Sequence, residues 1–361
     1  VEGLGRDFSG PDARLGSFTP FLDSLIDKSL YWDNFLATQG RTFGVIPSIF
    51  SSAPFGQHGL TDDERVIPQH NSFLNLVKNH GYQTRYYSGT DPSFDNVDKY
   101  FISQKIDKLF SKKDFDIKYK TANEWGYSDK ELIQQVVEEE EKELHQPFVS
   151  IIQTITMHSP FSFMDDGAYN SYLDKHINSL KIGKSKYYRY MKDKQIYKTI
   201  LYTDYALNLY FSAARNLDSY KNTIFVITGD HRLPEIEMDS VIERYHVPLI
   251  IFSPLLNKPQ RIKSVSSHFD IAPSLLAFLS NNYRIKTPKY VTWMGDGLDM
   301  EPSFRNLHSY PLKQTKVNLV DYVDKEWFLN QGTLYKLNDG FNIDSTTNSE
   351  AAVNARERFD E

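Results

Sequence analysis

Thr223-Ile224-Phe225-Val226-Ile227-Thr228-Gly229-Asp230-His231 is the stretch on which the fold turns. Its first six residues form a continuous run of β-branched and aromatic side chains, which suits a strand covered on both faces. Gly229 ends the run, and an acid and an imidazole follow at once. Val247 to Ser253 repeats the pattern, so the two runs are expected to be central parallel strands. Helices alternate with strands around them. Thr19-Pro20 opens a helix expected to run through about Leu30, and Ser128 to Glu131 spells a capping box for another. Tyr82 to Ser88 and Phe148 to Met157 read as strands, Lys194 to Leu217 and Ile271 to Leu279 as helices.

This alternation predicts an α/β fold over residues 1–301: a doubly wound, mostly parallel sheet with helices on both faces. Residues 302–361 change character. Val317 to Val323, Glu326 to Leu329 and Thr333 to Leu337 are short runs separated by Asn330, Gly332 and Asp339-Gly340. They predict a small antiparallel β meander, followed by a polar terminal helix from Asn348 and packed on the larger unit.

Composition narrows the function. A net charge of −6, from 41 basic and 47 acidic residues, provides no basic field for nucleic acid. With no cysteine, disulfides, thiolate metal sites and a cysteine nucleophile are excluded. No apolar run reaches the 18 or so residues that a membrane-spanning helix needs. The chain opens on Val1-Glu2-Gly3 and reads as a piece of a longer protein.

Several residues carry possible chemistry. Asp230-His231 sits at the carboxyl end of a buried strand, where open α/β sheets bind ligands, and the pair offers one hard oxygen and one imidazole to a divalent metal. A capping Asp beside a surface His is an equally good reading of the pair taken alone. In Gly40-Arg41-Thr42-Phe43-Gly44, Thr42 precedes a predicted helix over Ile46 to Phe50, with Arg41 beside it as a phosphate fork; a plain N-cap beside a solvated Arg explains the same residues. His158, in Met157-His158-Ser159-Pro160, follows a second buried strand. Glu2 stands at the start, His246 opens the Val247 run, and His268 with Asp270 reads as structural.

Taken in order, these segments resemble the alkaline phosphatase/sulfatase superfamily, and within it the lipoteichoic acid synthase-like phosphoglycerol transferase branch. The resemblance runs from Val1 to Glu301 through Val1-Glu2-Gly3, Thr19-Pro20-Phe21-Leu22-Asp23, Gly40-Arg41-Thr42, Ser88-Gly89-Thr90-Asp91-Pro92-Ser93-Phe94, Met157-His158-Ser159-Pro160-Phe161, Gly229-Asp230-His231 and Asp270-Ile271-Ala272-Pro273-Ser274.

The resemblance implies a metal-dependent phosphoryl-group transferase with Thr42 as nucleophile and His158 as its catalytic partner. Glu2, Thr42, Asp230 and His231 would hold one divalent ion, Mn²⁺ by the habit of this branch, with Zn²⁺ or Mg²⁺ as alternatives. Arg41, His158, Arg232 and His246 would bind substrate. Arg232 stands where the family places a glycine, and Ser88, Asp95 and Val97 stand where its substrate pocket carries His, Trp and Arg. The implied donor is a phospholipid headgroup or related phosphodiester, and the acceptor a glycan or alcohol. Relatives of this kind work outside the cytoplasm, in the periplasm or at the outer face of the cell membrane, anchored by a segment not present here. The alternative is a sulfuric ester hydrolase or phosphodiesterase of the same fold. Classical sulfatases need a Cys or Ser in C/S-x-P-x-R, and Ser52-Ala53-Pro54-Phe55-Gly56 lacks the Arg. A non-catalytic scaffold of the same fold is the third reading.

Overall fold

A computed structural model describes residues 1–62, 67–143, 147–180, 182–347 and 349–360. In chain order it contains α1 (Pro20–Ile26), β1 (Leu30–Leu36), α2 (Val45–Ser51), α3 (Phe73–Lys78), β2 (Gln83–Ser88), α4 (Val97–Ser103) and β3 (Lys108–Phe110). Next come α5 (Asp129–Glu143), β4 (Phe148–Gln153), α6 (Ala168–Ser179), α7 (Lys184–Lys192), α8 (Lys194–Ala214), β5 (Phe225–Thr228), β6 (His246–Phe252), β7 (Gln260–Ile262), β8 (Ser266–Ser267) and α9 (Ile271–Tyr283). The chain ends with β9 (Ser309–Lys313), β10 (Leu319–Asp324), β11 (Trp327–Asn330), β12 (Thr333–Leu337), β13 (Ile343–Ser345) and α10 (Ser349–Asp360). Asn348, where the terminal helix was expected to start, lies outside the described residues.

The α/β layering and the separate C-terminal antiparallel sheet are as the sequence pattern predicts. One sheet, β3-β2-β4, is wholly parallel. The other runs β5-β6-β1-β7, with β8 beside β1. Its β7 and β8 are parallel to β1, but β6 is antiparallel to both β5 and β1. The Val247 run is therefore central and buried as expected, with its direction reversed. The cause lies in the connection. Between Thr228 and His246 the chain makes only a 3₁₀ turn, Val241–Tyr245, and no helix carries it back across the sheet. It re-enters from the edge it left, and only an antiparallel pairing results.

A second difference is β1. The first helix stops at Ile26, and Leu30-Tyr31-Trp32-Asp33-Asn34-Phe35-Leu36 is a central strand with all but its first residue buried. Asp33 and Asn34 break the apolar run, which hid the strand. Both are satisfied inside: Asp33 pairs with Arg6 at 3.1 Å and with Arg261, and the Asn34 amide donates to Lys263 O at 2.7 Å and to Asp339 at 3.0 Å. A buried polar pair costs little once every group has a partner.

Packing fixes the layers. Ile196, Ile200, Leu207 and Phe211 of α8 pack with Leu22 and Leu25 of α1 in one apolar cluster. Each such side chain contributes roughly 1.5–3 kcal/mol on burial. The C-terminal sheet, ordered β13-β12-β11-β10-β9, joins the larger unit through Tyr310, Leu312, Val323 and Phe328 against Leu36, Ile242, Tyr245 and Phe269. Its first strand is tied to the loop after β1: Lys313 N–H donates to Thr38 O at 3.0 Å and Gly40 N–H to Lys313 O at 2.9 Å. That seam brings the β9–β10 turn beside Thr42.

Candidate functional site

Glu2, Asp230 and His231 come together in the interior, and their ligand atoms all lie within 4.8 Å of one another. Three loops deliver them. Gly229 ends β5 so close to Leu4 that a Cβ would sit 2.1 Å from its carbonyl oxygen, so only glycine lets the two loops touch. Gly3 N–H and His231 N–H then donate to Asp230 Oδ1 at 2.7 and 2.8 Å. Glu2 N–H donates to Thr154 Oγ1 at 2.9 Å, which ties the first loop to the end of β4. The His231 ring donates from Nδ1 to the Arg232 carbonyl at 2.9 Å, leaving Nε2 aimed inward, 3.4 Å from Glu2 Oε1 and 3.6 Å from Asp230 Oδ2.

Thr42 closes the group. Its hydroxyl donates to Glu2 Oε2 at 3.2 Å and lies 3.4 Å from His231 Nε2. It is held on a tight loop, where Gly40 packs against Gln314 and a Cβ would meet that carbonyl at 2.8 Å.

The electrostatics of the cluster call for a cation. Burial pushes the Glu2 carboxyl up, and Asp230 pushes the same way. Burial also opposes the charge on Asp230, but His231 and the two donated N–H groups outweigh it and hold this carboxyl below its ordinary value. Burial alone would depress His231; Asp230 and Glu2 override it and raise the imidazole to about 9. Asp230 Oδ2 is buried with no hydrogen-bond partner. Two carboxylates, one imidazole Nε2 and one hydroxyl, with an oxygen left over, form a mixed O/N donor set that fits a divalent ion of the Mn²⁺ or Zn²⁺ kind.

A proton stands in for that charge in the protein alone, and a pH dependence follows. With a pKa of about 9, His231 is protonated at pH 7, and it must lose that proton to ligate. Metal affinity should therefore rise about tenfold per pH unit up to pH 9, with about one proton released per ion bound at pH 7.5. Calorimetric titration in buffers of different ionisation enthalpy measures the release; heats that do not depend on buffer would contradict it.

Beside the cluster is a cavity of about 320 Å³, lined among others by Glu2, Arg41, Thr42, His158, His231, Phe94 and Glu235. His158 donates from Nδ1 to Ser159 O at 2.7 Å, and its ring meets Trp125 edge-on at 4.6 Å between centroids. Arg41 is exposed at the rim.

Two expected substrate groups do not face this cavity. Arg232 is buried and turned away: its guanidinium donates to Asp7 at 2.7 Å, to Glu237 O at 2.8 Å, and to the carbonyls of Leu233 and Ile236. A buried guanidinium needs partners for its terminal N–H groups, and Asp7 with these carbonyls supplies them and draws it inward. His246 lies in β6, donates from Nε2 to Asp33 O at 2.7 Å and packs on Phe341 at 4.7 Å. Burial, aided by Arg6, depresses it to about 3, so it stays neutral. Sequence reasoning in turn missed Trp125, Thr315 and Lys316. No local pattern marks the last two, since only the seam between β9 and the Thr38 loop carries them to the cleft.

Comparison with known proteins gives consistent results. The family model described as Sulfatase matches residues 3–281. A lipoteichoic acid synthase-like protein of Bacillus subtilis is 26% identical over 284 residues, which is 72% of this chain and 43% of the relative. Lipoteichoic acid synthase 2 of the same organism is 24% identical over 327 residues, 83% of this chain and 47% of the relative. The chain thus spans less than half the length of these curated relatives. Among solved structures, a protein in the alkaline phosphatase superfamily from Vibrio parahaemolyticus has a TM-score of 0.74 at 21% identity, over 99% of this chain and 85% of that one. The lipoteichoic acid synthase LtaP from Listeria monocytogenes has a TM-score of 0.69 at 20% identity, over 100% of this chain and 87% of that one. At these identities the structural likeness shows the fold.

Proposed function

The chain belongs to the sulfatase family, and from that premise we propose that it is a metal-dependent phosphoryl-group transferase acting on a phospholipid headgroup or related phosphodiester. The observation that carries this reading is the meeting of Glu2, Asp230 and His231 around the Thr42 hydroxyl. These four residues would hold one divalent ion, Mn²⁺ with Zn²⁺ or Mg²⁺ as alternatives, which when bound supplies Lewis acidity to the hydroxyl and to the phosphoryl oxygens.

The chain's own groups do the rest. Glu2 accepts the Thr42 proton, and the 3.2 Å contact between them is the path. Thr42 Oγ1 forms a bond to phosphorus while the bond from phosphorus to the leaving alcohol breaks, leaving a phosphothreonine ester. His158 gives the departing oxygen a proton; its Nδ1 is committed to Ser159 O, so Nε2 is the nitrogen that serves. A second alcohol, on a glycan or polyol, then attacks the ester, with His158 taking its proton and Thr42 recovering its own. Arg41 at the rim suits a non-bridging phosphate oxygen.

The proposal places the protein outside the cytoplasm, in the periplasm or at the outer face of the cell membrane, with residues 1–301 as the catalytic unit and 302–361 packed on it. Among the described residues, no helix is long and apolar enough to cross a membrane. Against the sulfuric ester reading, Ser52 of the nearest serine motif is buried and accepts from Gly295 N–H at 2.8 Å, away from the cleft. The deciding assay offers the metal-loaded protein an aryl phosphodiester and an aryl sulfate. The phosphodiester should turn over at least about 100-fold faster; a preference for the sulfate would overturn the assignment.

A further inference from the structure

The C-terminal sheet reaches the cleft at one place. Thr315 and Lys316, in the turn between β9 and β10, line the cavity together with Glu2, Thr42 and His158. Lys316 Nζ lies 2.6 Å from Asp95 Oδ1, and the two side chains are 48% and 11% exposed. The ammonium is thus half in solvent, while its partner is built into the wall.

Asp95 is held there by an unusual backbone. Asp95 and its neighbour Asn96 both adopt left-handed conformations, with φ of 53° and 55°. Asp and Asn tolerate this region better than other non-glycine residues, and two in succession set a tight turn here. Phe94, beside them, is 48% exposed, lines the same cavity and meets the Trp125 ring edge-on at 5.2 Å. Thr61 donates to Asp95 O at 3.4 Å. The loop is therefore a fixed arm, and the lysine is the flexible one.

A half-exposed ion pair of this type gains little in water and exchanges readily for a competing anion. Asp95 keeps the ammonium over the cavity without satisfying all three of its donors. On the same cavity Arg41 makes no ion pair or hydrogen bond among the described residues. Two cations thus border a single cleft. One serves the reacting phosphoryl group in the mechanism above, which leaves the other for a different charge.

We propose that Lys316, poised by Asp95, grips a second anionic group of the substrate, so that the preferred phosphodiester carries a further phosphate or carboxylate beyond the scissile phosphorus. A substrate of that class is a unit of an anionic polymer or a doubly phosphorylated headgroup. This inference rests on the phosphoryl-transfer reading and narrows its substrate.

The test compares bis(4-nitrophenyl) phosphate, which has one negative charge, with the 4-nitrophenyl phosphodiester of glycerol phosphate, whose free phosphate adds more. For Lys316→Gln, the ratio of kcat/KM between the second and the first should fall about three- to tenfold, the scale of one half-exposed charge contact. The fall should appear in KM rather than kcat, and Lys316→Arg should restore it. Asp95→Asn frees the ammonium and should raise the ratio. Equal losses on both substrates, or an unchanged ratio, would overturn the assignment. Should the protein turn over no phosphodiester, the transfer reading fails on its own, and calorimetric binding decides the role of Lys316. Wild-type protein should then bind glycerol 1,3-bisphosphate more tightly than glycerol monophosphate, and Lys316→Gln should erase the difference. Equal affinities in the wild type would overturn the proposal.

Discussion

Thr42→Ala is expected to lower turnover of an aryl phosphodiester by at least about 10³-fold while the protein folds and melts as before. The two halves of this expectation have separate physical grounds. Catalytically, among the described residues no other hydroxyl on the cavity touches the acidic cluster: Thr42 Oγ1 is the one with contacts to both Glu2 and His231. Removing it leaves an ion site with no attacking oxygen on the protein, and water is a poor substitute without the positioning that the loop supplies. Structurally, the hydroxyl is half-buried and makes two long contacts, so its loss costs no more than about 1 kcal/mol. Thr42→Ser retains the nucleophile and should recover most of the rate. Measured kcat, thermal melting and metal content together separate the cases. An alanine variant with wild-type kcat removes Thr42 as nucleophile, and a variant that fails to fold is resolved by the serine one.

Much of this arrangement is legible from residues alone, but unevenly. Continuous apolar runs announced β4, β5 and β6, because a strand covered on both faces must be apolar on both. The placement of Asp230-His231 just past such a run pointed to a site, since side chains at the end of a buried strand have little choice of where to go. What stayed hidden depends on distant partners. β1 was missed because Asp33 and Asn34 look like turn residues until Arg6, Arg261 and Asp339 are seen to satisfy them. The reversed direction of β6 depends on the absence of a crossing helix, and periodicity carries no sign of direction. Arg232 adjoins a cluster residue in the chain, yet its guanidinium points to Asp7, so adjacency says nothing of orientation. Lys316 is the opposite case, remote in the chain and present at the cleft.

Asp230→Asn should lower stability in chelator and lower metal affinity steeply as well, and the second loss is one that a merely structural carboxylate does not produce. Asp230 Oδ1 receives the N–H groups of Gly3 and His231, and an amide oxygen accepts both as well. Oδ2 has no partner, and its charge sits beside that of Glu2 in a buried pocket. Neutralising it relieves the repulsion with Glu2 but also removes the attraction to protonated His231. The attraction is the larger, because this carboxyl is held below its ordinary value, so the melting temperature in chelator should fall. Metal affinity should drop at least about 100-fold, because a charged ligand is lost outright. Wild-type protein at an ion concentration of 100 Kd gains about 2.7 kcal/mol of stability, and the variant should gain almost none at the same concentration. His231→Ala tests the same balance from the other side. In chelator it removes the positive charge that sits against two buried carboxylates, which costs about 3–5 kcal/mol when such a charge is left unbalanced. The sign with pH follows from the raised folded value: protonated His231 stabilises below its unfolded pKa of about 6.5, and this contribution is lost as pH rises through about 9. The deficit of His231→Ala should accordingly be large at pH 7 and shrink toward pH 9.5. Melting curves of both variants in chelator and in excess Mn²⁺ or Zn²⁺, at the two pH values, give eight numbers with fixed signs. If Asp230→Asn melts lower in chelator yet binds metal like the wild type, the carboxylate is a structural group and the ion belongs elsewhere.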